Sequence, residues 1–127
     1  MIEILLVPES GLRPLCARLG VPAFPGLLVY AAKDGAQELG WCGFIPRGDE
    51  GELCFSHVAE PSLRLLEDGL LRCALSYLYE HGVRKAFCRG SVDPRLLKRL
   101  GFSRQGEVWK LGFAGSFLEQ GCSGETC

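Results

Sequence analysis

The hydrophobic pattern of this chain changes period once, near residue 62. Before that point apolar residues come in short runs or alternate with polar ones, and each run ends at Pro, Gly or an Asp-Gly pair. Residues 2–7 predict a first strand stopped by Pro8. Leu12, Leu15, Cys16 and Leu19 are spaced as one face of a short helix, closed by Gly20 and Pro22. After a turn through Pro22, Pro25 and Gly26, residues 27–32 predict a second strand and Lys33-Asp34-Gly35 a hairpin corner. Residues 38–45 predict a third strand, 46–51 a turn and 52–59 a fourth strand. Strict alternation puts Leu53, Phe55 and His57 on one face of that fourth strand, and Glu52, Cys54, Ser56 and Val58 on the other. The first half therefore reads as an antiparallel meander.

Beyond residue 62, Leu66, Leu70, Cys73, Ala74, Tyr77 and Leu78 follow the i, i+3/i+4 rule and predict one long helix over residues 63–80, closed by Gly82. Residues 84–88 form a short strand. Asp93-Pro94 starts a second helix, with a capping carboxylate before a proline, and Gly101 ends it. Residues 107–111 give a last strand. A strand, a long helix and another strand form a crossover, which implies a parallel pair. The expectation is an α/β protein with a mixed sheet of about six strands.

Composition adds bounds. The 127 residues, 47% hydrophobic and 23% charged, fit one globular domain, with a core over 27–111 and a flexible tail over 113–127. The net charge of −1 gives no general attraction to nucleic acid or anionic lipid. A local basic strip runs from Arg84 through Lys85, Arg89, Arg95, Lys98 and Arg99 to Arg104, opposed only by Asp93. It is either a solvated face or an anchor for a phosphorylated ligand, and no nucleic-acid-binding motif accompanies it. The seven cysteines are odd in number and without a CxxC pair, and four of them sit in apolar segments. Neither a disulfide framework nor a zinc site is expected, so no metal is. The N-terminus lacks the basic residues and apolar length of a leader, and no run approaches a membrane span. A reducing, cytoplasmic home follows.

Four features stand in one order: the strand of residues 52–58, Arg64-Leu65-Leu66-Glu67-Asp68-Gly69 opening the long helix, the strand Ala86-Phe87-Cys88, and Leu96-Leu97-Lys98-Arg99-Leu100-Gly101-Phe102. Together they resemble the core of the GNAT N-acetyltransferases, over roughly residues 27–111. The resemblance implies the acyl-CoA N-acyltransferase fold and acetyl-CoA as co-substrate. In that family an R/Q-x-x-G-x-G/A turn cradles the CoA pyrophosphate on helix N-terminal amides, where the dipole favours anions. Arg64 and Gly69 match its ends, and the resemblance carries contacts to Leu66, Glu67, Asp68 and Leu70 as well. Glu67 stands at the middle glycine. With Asp68, it is either an obstacle to phosphate or an ordinary first-turn acid favoured by the dipole. Ser56, His57 and Val58 match the stretch that lines the pantetheine arm. Glu52 falls where some members carry the general base, and His57 is the second candidate, since imidazoles titrate near neutrality.

Two departures fall on the chemistry: Gly90 replaces an asparagine after the fifth strand, and Leu97 replaces a tyrosine that protonates the CoA thiolate. The resemblance thus implies acetyl transfer to a primary amine of a small molecule or protein. The alternative is a non-catalytic module keeping the fold to bind CoA, a nucleotide or a protein. A membrane partner is not expected, nor is nucleic acid; a homodimer is left open.

Overall fold

The computed structural model describes residues 1–119. Its strands are β1 (Ile2–Leu6), β2 (Leu28–Asp34), β3 (Gln37–Arg47), β4 (Glu50–Val58), β5 (Lys85–Cys88), β6 (Ser103–Gln105) and β7 (Val108–Gly112). Its helices are α1 (Glu9–Leu19), α2 (Arg64–Glu80) and α3 (Pro94–Leu100), with short 3-10 turns at Pro61–Leu63 and Phe117–Glu119. All seven strands form one sheet in the order β1-β2-β3-β4-β5-β7-β6. β1 to β4 make the expected meander, and β4 and β5 are the expected parallel pair joined through α2. The sheet is mixed, as predicted, with seven strands rather than about six. The addition is β6, whose three residues are all exposed and so carry no hydrophobic period.

Helices cover the two faces unequally. Leu70, Leu71, Cys73, Ala74, Leu75 and Leu78 of α2 are buried against Phe44, Leu53, Ala86 and Cys88, together with Leu96, Leu97 and Leu100 of α3. This stripe is wider than the sequence pattern indicated, because Leu71 and Leu75 also find cover between α2 and its neighbours. On the opposite face α1 buries Leu15 and Cys16 against Leu27, Val29, Ala31, Trp41 and Ile45. That smaller cluster stops at β4, where Cys54 and Phe55 are only partly buried.

The chain after β7 keeps contact with the main core. Phe113 is 2% exposed, and Phe117 and Leu118 pack on the main core. Within the segment expected to be flexible from residue 113, Phe113, Phe117 and Leu118 thus contact the core, while Ala114 and Gly115 are exposed. Residues 120–127 of that expectation lie outside the described residues.

Candidate functional site

The site is built around an interruption in β4. Trp41, Cys42 and Gly43 of β3 stand opposite His57, Ser56 and Phe55, but the next residue, Phe44, stands opposite Leu53. Cys54 is the extra residue of a β-bulge, and a bulge reverses which side chains face which side. Before it, Leu53 faces α2 and Glu52, opposite Ile45, faces the α1 side. After it, Ser56 and Val58 face α2, while Phe55 and His57 face the α1 side.

Strict alternation therefore fails. Glu52 does not share a face with Ser56, and Phe55 does not lie with Leu53 against the long helix. Glu52 and His57, the two candidate bases, instead share the α1 side.

The bulge also ends the parallel pairing. β4 pairs with β5 only from Glu50↔Lys85 to Leu53↔Cys88, after which β5 stops. Residues 54–58 keep β3 on one edge and have no strand on the other. A row of backbone N–H and C=O groups thus faces an open gap, which is a template for an extended, amide-bearing ligand.

Beside that gap lies the start of α2. No side chain caps its first turn, which continues directly from the 3-10 turn at Pro61–Leu63. Arg64 reaches Asp93 of the α3 cap, Nη2 to Oδ2 at 3.6 Å, which bridges the mouth of the gap. Leu65 is 79% exposed, whereas Leu66 packs on the core. Glu67 turns inward and accepts a hydrogen bond from Ser56 Oγ at 2.5 Å, tying α2 to the unpaired half of β4. Asp68 accepts from Arg72 Nε at 2.8 Å, and its other oxygen, Oδ1, is buried with no partner. Gly69 sits over Ile4 of β1 and Leu70 is fully buried, so both lie in the packed second turn rather than at the open end. Of the predicted ligand contacts, Ser56, Val58, Arg64 and Glu67 converge on the gap; His57, Gly69 and Leu70 do not.

Glu52 stands in a row with Ile45 and Phe87, its side chain 16% exposed and met by Arg47 Nη2 at 3.3 Å. His57 is exposed and stacks on Trp41, ring centroids 5.8 Å apart. Leu97, at the position of the family tyrosine, is wholly buried, so no proton donor stands there.

Three thiols surround the gap. Burial pushes Cys54 up to about 12, with the Glu52 carboxylate adding to the rise. Burial likewise raises Cys42 and Cys88, although amides of Gly90, Ser91 and Val92 aimed at Cys88 oppose part of its rise. All three are protonated at neutral pH, which leaves them poor nucleophiles. Among the described residues no group of three His, Cys, Asp or Glu could hold a metal ion.

Much of the basic strip is engaged locally. Lys85 meets Glu50 at 3.7 Å, Asp93 takes Arg95 as well as Arg64, Arg89 lies over Phe87, and Lys98 over Trp109. Among the described residues no helix is long and apolar enough to cross a membrane.

No protein-family model matches the chain, and no curated protein matches it by sequence. Solved structures do match. The ribosomal-protein-S18-alanine N-acetyltransferase of Escherichia coli superposes with a TM-score of 0.70 at 15% identity, over 88% of this chain and 94% of that one. A GNAT family acetyltransferase of Brucella melitensis in complex with acetyl-CoA gives 0.67 at 18% identity, over 89% and 88%. The PaiA N-acetyltransferase of Thermoplasma acidophilum in complex with coenzyme A gives 0.67 at 12% identity, over 89% and 99%. Through its strand order, its opened β4–β5 pair and this likeness, the chain has the fold of the GNAT acetyltransferases.

Proposed function

We propose that this protein is an acetyl-CoA-dependent N-acetyltransferase acting on a primary amine. The observation that carries the reading is the open backbone edge of residues 54–58 beside the uncapped start of α2. A thioester-bearing arm with its own amides pairs with that edge, while phosphates meet the helix amides and Arg64. The fit has one poor element: Glu67 brings negative charge to the turn, although its bond to Ser56 aims it at β4 rather than outward.

An arm passing through the gap from the α2 side brings its carbonyl toward the α1 side, where Glu52 stands. Glu52 takes the proton that the amine loses as the new C–N bond forms and the C–S bond breaks. The sulfur departs as a thiolate and needs no Leu97-position acid to leave. Positioning and desolvation supply most of the acceleration.

Glu52→Gln keeps the shape and removes the basicity. Acetyl transfer is expected to fall by roughly 10²–10⁴-fold at neutral pH, with a smaller loss at high pH, where more amine is already neutral. Full activity of the variant at neutral pH would exclude Glu52 and move the role to His57. The non-catalytic alternative draws on Glu67 in the turn and on buried Leu97. Acetyl-CoA binding without transfer to any of a broad panel of amines would establish it.

A further inference from the structure

Of the seven large apolar side chains left exposed among the described residues, five are Met1, Ile2, Leu5, Leu6 and Leu65. They gather at one edge of the sheet, because β1 is an outermost strand and pairs with β2 alone. α2 runs against the parallel pair β4 and β5, and therefore in the direction of β1. A Cβ on Gly69 would lie 3.9 Å from Ile4 Cδ1, so Leu65, one turn earlier, stands on the Ile2 side of that contact. The opposite edge differs in kind: β6 is three residues long and exposes Ser103, Arg104 and Gln105. A short, polar, charged edge is guarded against pairing, whereas the five-residue Ile-Glu-Ile-Leu-Leu edge is not.

We propose that β1 is the interface of a homodimer, in which it pairs antiparallel with β1 of a second copy about a two-fold axis at Ile4. The backbone directions carry the choice of occupant. Val7 N–H donates to the Val29 carbonyl at 2.8 Å, and the β1–β2 register runs unbroken from Ile2↔Asp34 to Leu6↔Tyr30. Alternate residues back from Val7, namely Leu5 and Glu3, therefore aim their N–H and C=O groups at β2. Ile2, Ile4 and Leu6 aim theirs at the open edge. This outward set is symmetric about Ile4. Two copies related there match Ile4 with Ile4, and Ile2 with Leu6 at either end, which joins every outward N–H to a C=O of the other copy.

The side chains agree with that register. Ile4 packs on the main core, so Ile2, Ile4 and Leu6 share the α2 side and form apolar cross-strand pairs. Leu6 of the second copy, opposite Ile2, also comes within reach of Leu65. On the other side Glu3 meets Leu5, so the two Glu3 carboxylates are not opposed, and each keeps Lys33 of its own chain as its neighbour on β2. One strand from each copy makes a small interface, so the expected dimer is weak, with a Kd on the order of 10 µM. β1 lies three strands from β4, which leaves the gap beside residues 54–58 open in the dimer.

Sedimentation equilibrium of the whole protein at up to roughly 500 µM is expected to show monomer and dimer in exchange. Two double variants then test the register. Ile2→Lys with Leu6→Lys sets like charges opposite each other at both ends and should weaken dimerisation by at least roughly 10-fold. Ile2→Lys with Leu6→Glu is equally polar but sets opposite charges face to face, and should dimerise at least roughly 5-fold more tightly than the first. Both positions are exposed in the monomer, so circular dichroism and Tm of the two variants should stay near wild type. A wild-type monomer at the highest concentration overturns the proposal and leaves the edge to a strand of another protein. Equal dimerisation of the two variants also overturns it, since a dimer through another surface or register would not distinguish them.

Amide hydrogen exchange of the wild type, followed by NMR, reads the same interface without a substitution. The Ile4 and Leu6 amides should exchange more slowly as concentration rises, while that of Leu5, already bonded to β2, should not respond. Exchange at Ile4 and Leu6 that is independent of concentration overturns the proposal.

Discussion

Single residues decide the geometry of this site, and Cys54 decides most of it. As the extra residue of the bulge, it exchanges the faces of everything after Leu53 and places Glu52 with Phe55 and His57. Nothing in Glu-Leu-Cys-Phe-Ser-His-Val marks a bulge, because cysteine suits a regular strand equally well. Candidate residues were thus legible in the sequence while their directions were not. Gly40 has a comparable role at the open end of β4. A Cβ there would lie 2.9 Å from the His57 carbonyl oxygen and 3.0 Å from Leu70 Cδ1. Since the first neighbour is backbone, relief requires β3 and β4 to separate. Gly40→Ala is expected to destabilise the protein by about 1–3 kcal/mol, the usual cost of overpacking, as measured by urea denaturation. A variant as stable as wild type would mean that the β3–β4 contact yields without cost.

Elements were more legible than directions, because each rests on many residues at once. The long helix announced itself through six apolar positions at helical spacing, and it forms over Arg64–Glu80. The short α3 was visible only through its ends, Asp93-Pro94 and Gly101. Asp93 accepts from the Arg95 amide at 2.9 Å, and Gly101 takes the left-handed conformation at its C-terminus. By contrast β6 has neither period nor length and is defined by pairing with β7 alone.

The cap yields a prediction with a definite pH sign. The Arg95 amide, followed by the Arg95 and Arg64 guanidiniums, holds the Asp93 carboxyl below its ordinary range. Its stabilising contribution is therefore complete above the unfolded value, about 3.9, and is lost as pH falls through the lower folded value. Asp93→Ala is expected to cost about 1 kcal/mol at pH 7, as for other N-caps. The gap between variant and wild type should close as pH falls toward 2, in denaturation curves taken at successive pH values. A gap independent of pH would assign the loss to something other than the charged cap.

At the scale of the whole molecule, the sequence order strand–helix–strand was enough to predict that β4 and β5 are parallel neighbours. The parting of the two after Leu53 and Cys88 leaves no signal in composition or period. The same separation brings three distant segments together: the free edge of β4, the start of α2 and the cap of α3, joined by Ser56–Glu67 and Arg64–Asp93. A ligand with phosphates at the α2 turn meets this arrangement as a whole. It gains the helix amides, competes with Asp93 for Arg64, and is repelled by Glu67.

Acetyl-CoA at 100 times its dissociation constant should add about 2.7 kcal/mol to stability, a rise of roughly 10 °C in Tm for a chain of this length. Glu67→Gln isolates the repulsion, because the amide oxygen still accepts from Ser56 Oγ while the charge is gone. Glu67→Gly would remove that bond as well and weaken the helix, so it confounds two effects. Acetyl-CoA affinity in Glu67→Gln, measured by calorimetry, is expected to tighten by about tenfold, or 1.4 kcal/mol, with less change at high salt as the charges are screened. Unchanged or weaker affinity in a folded variant would place the phosphates away from the α2 turn. With Arg64 then free to keep its ion pair with Asp93, the basic strip from Arg84 to Arg104 would become the next place to look for them.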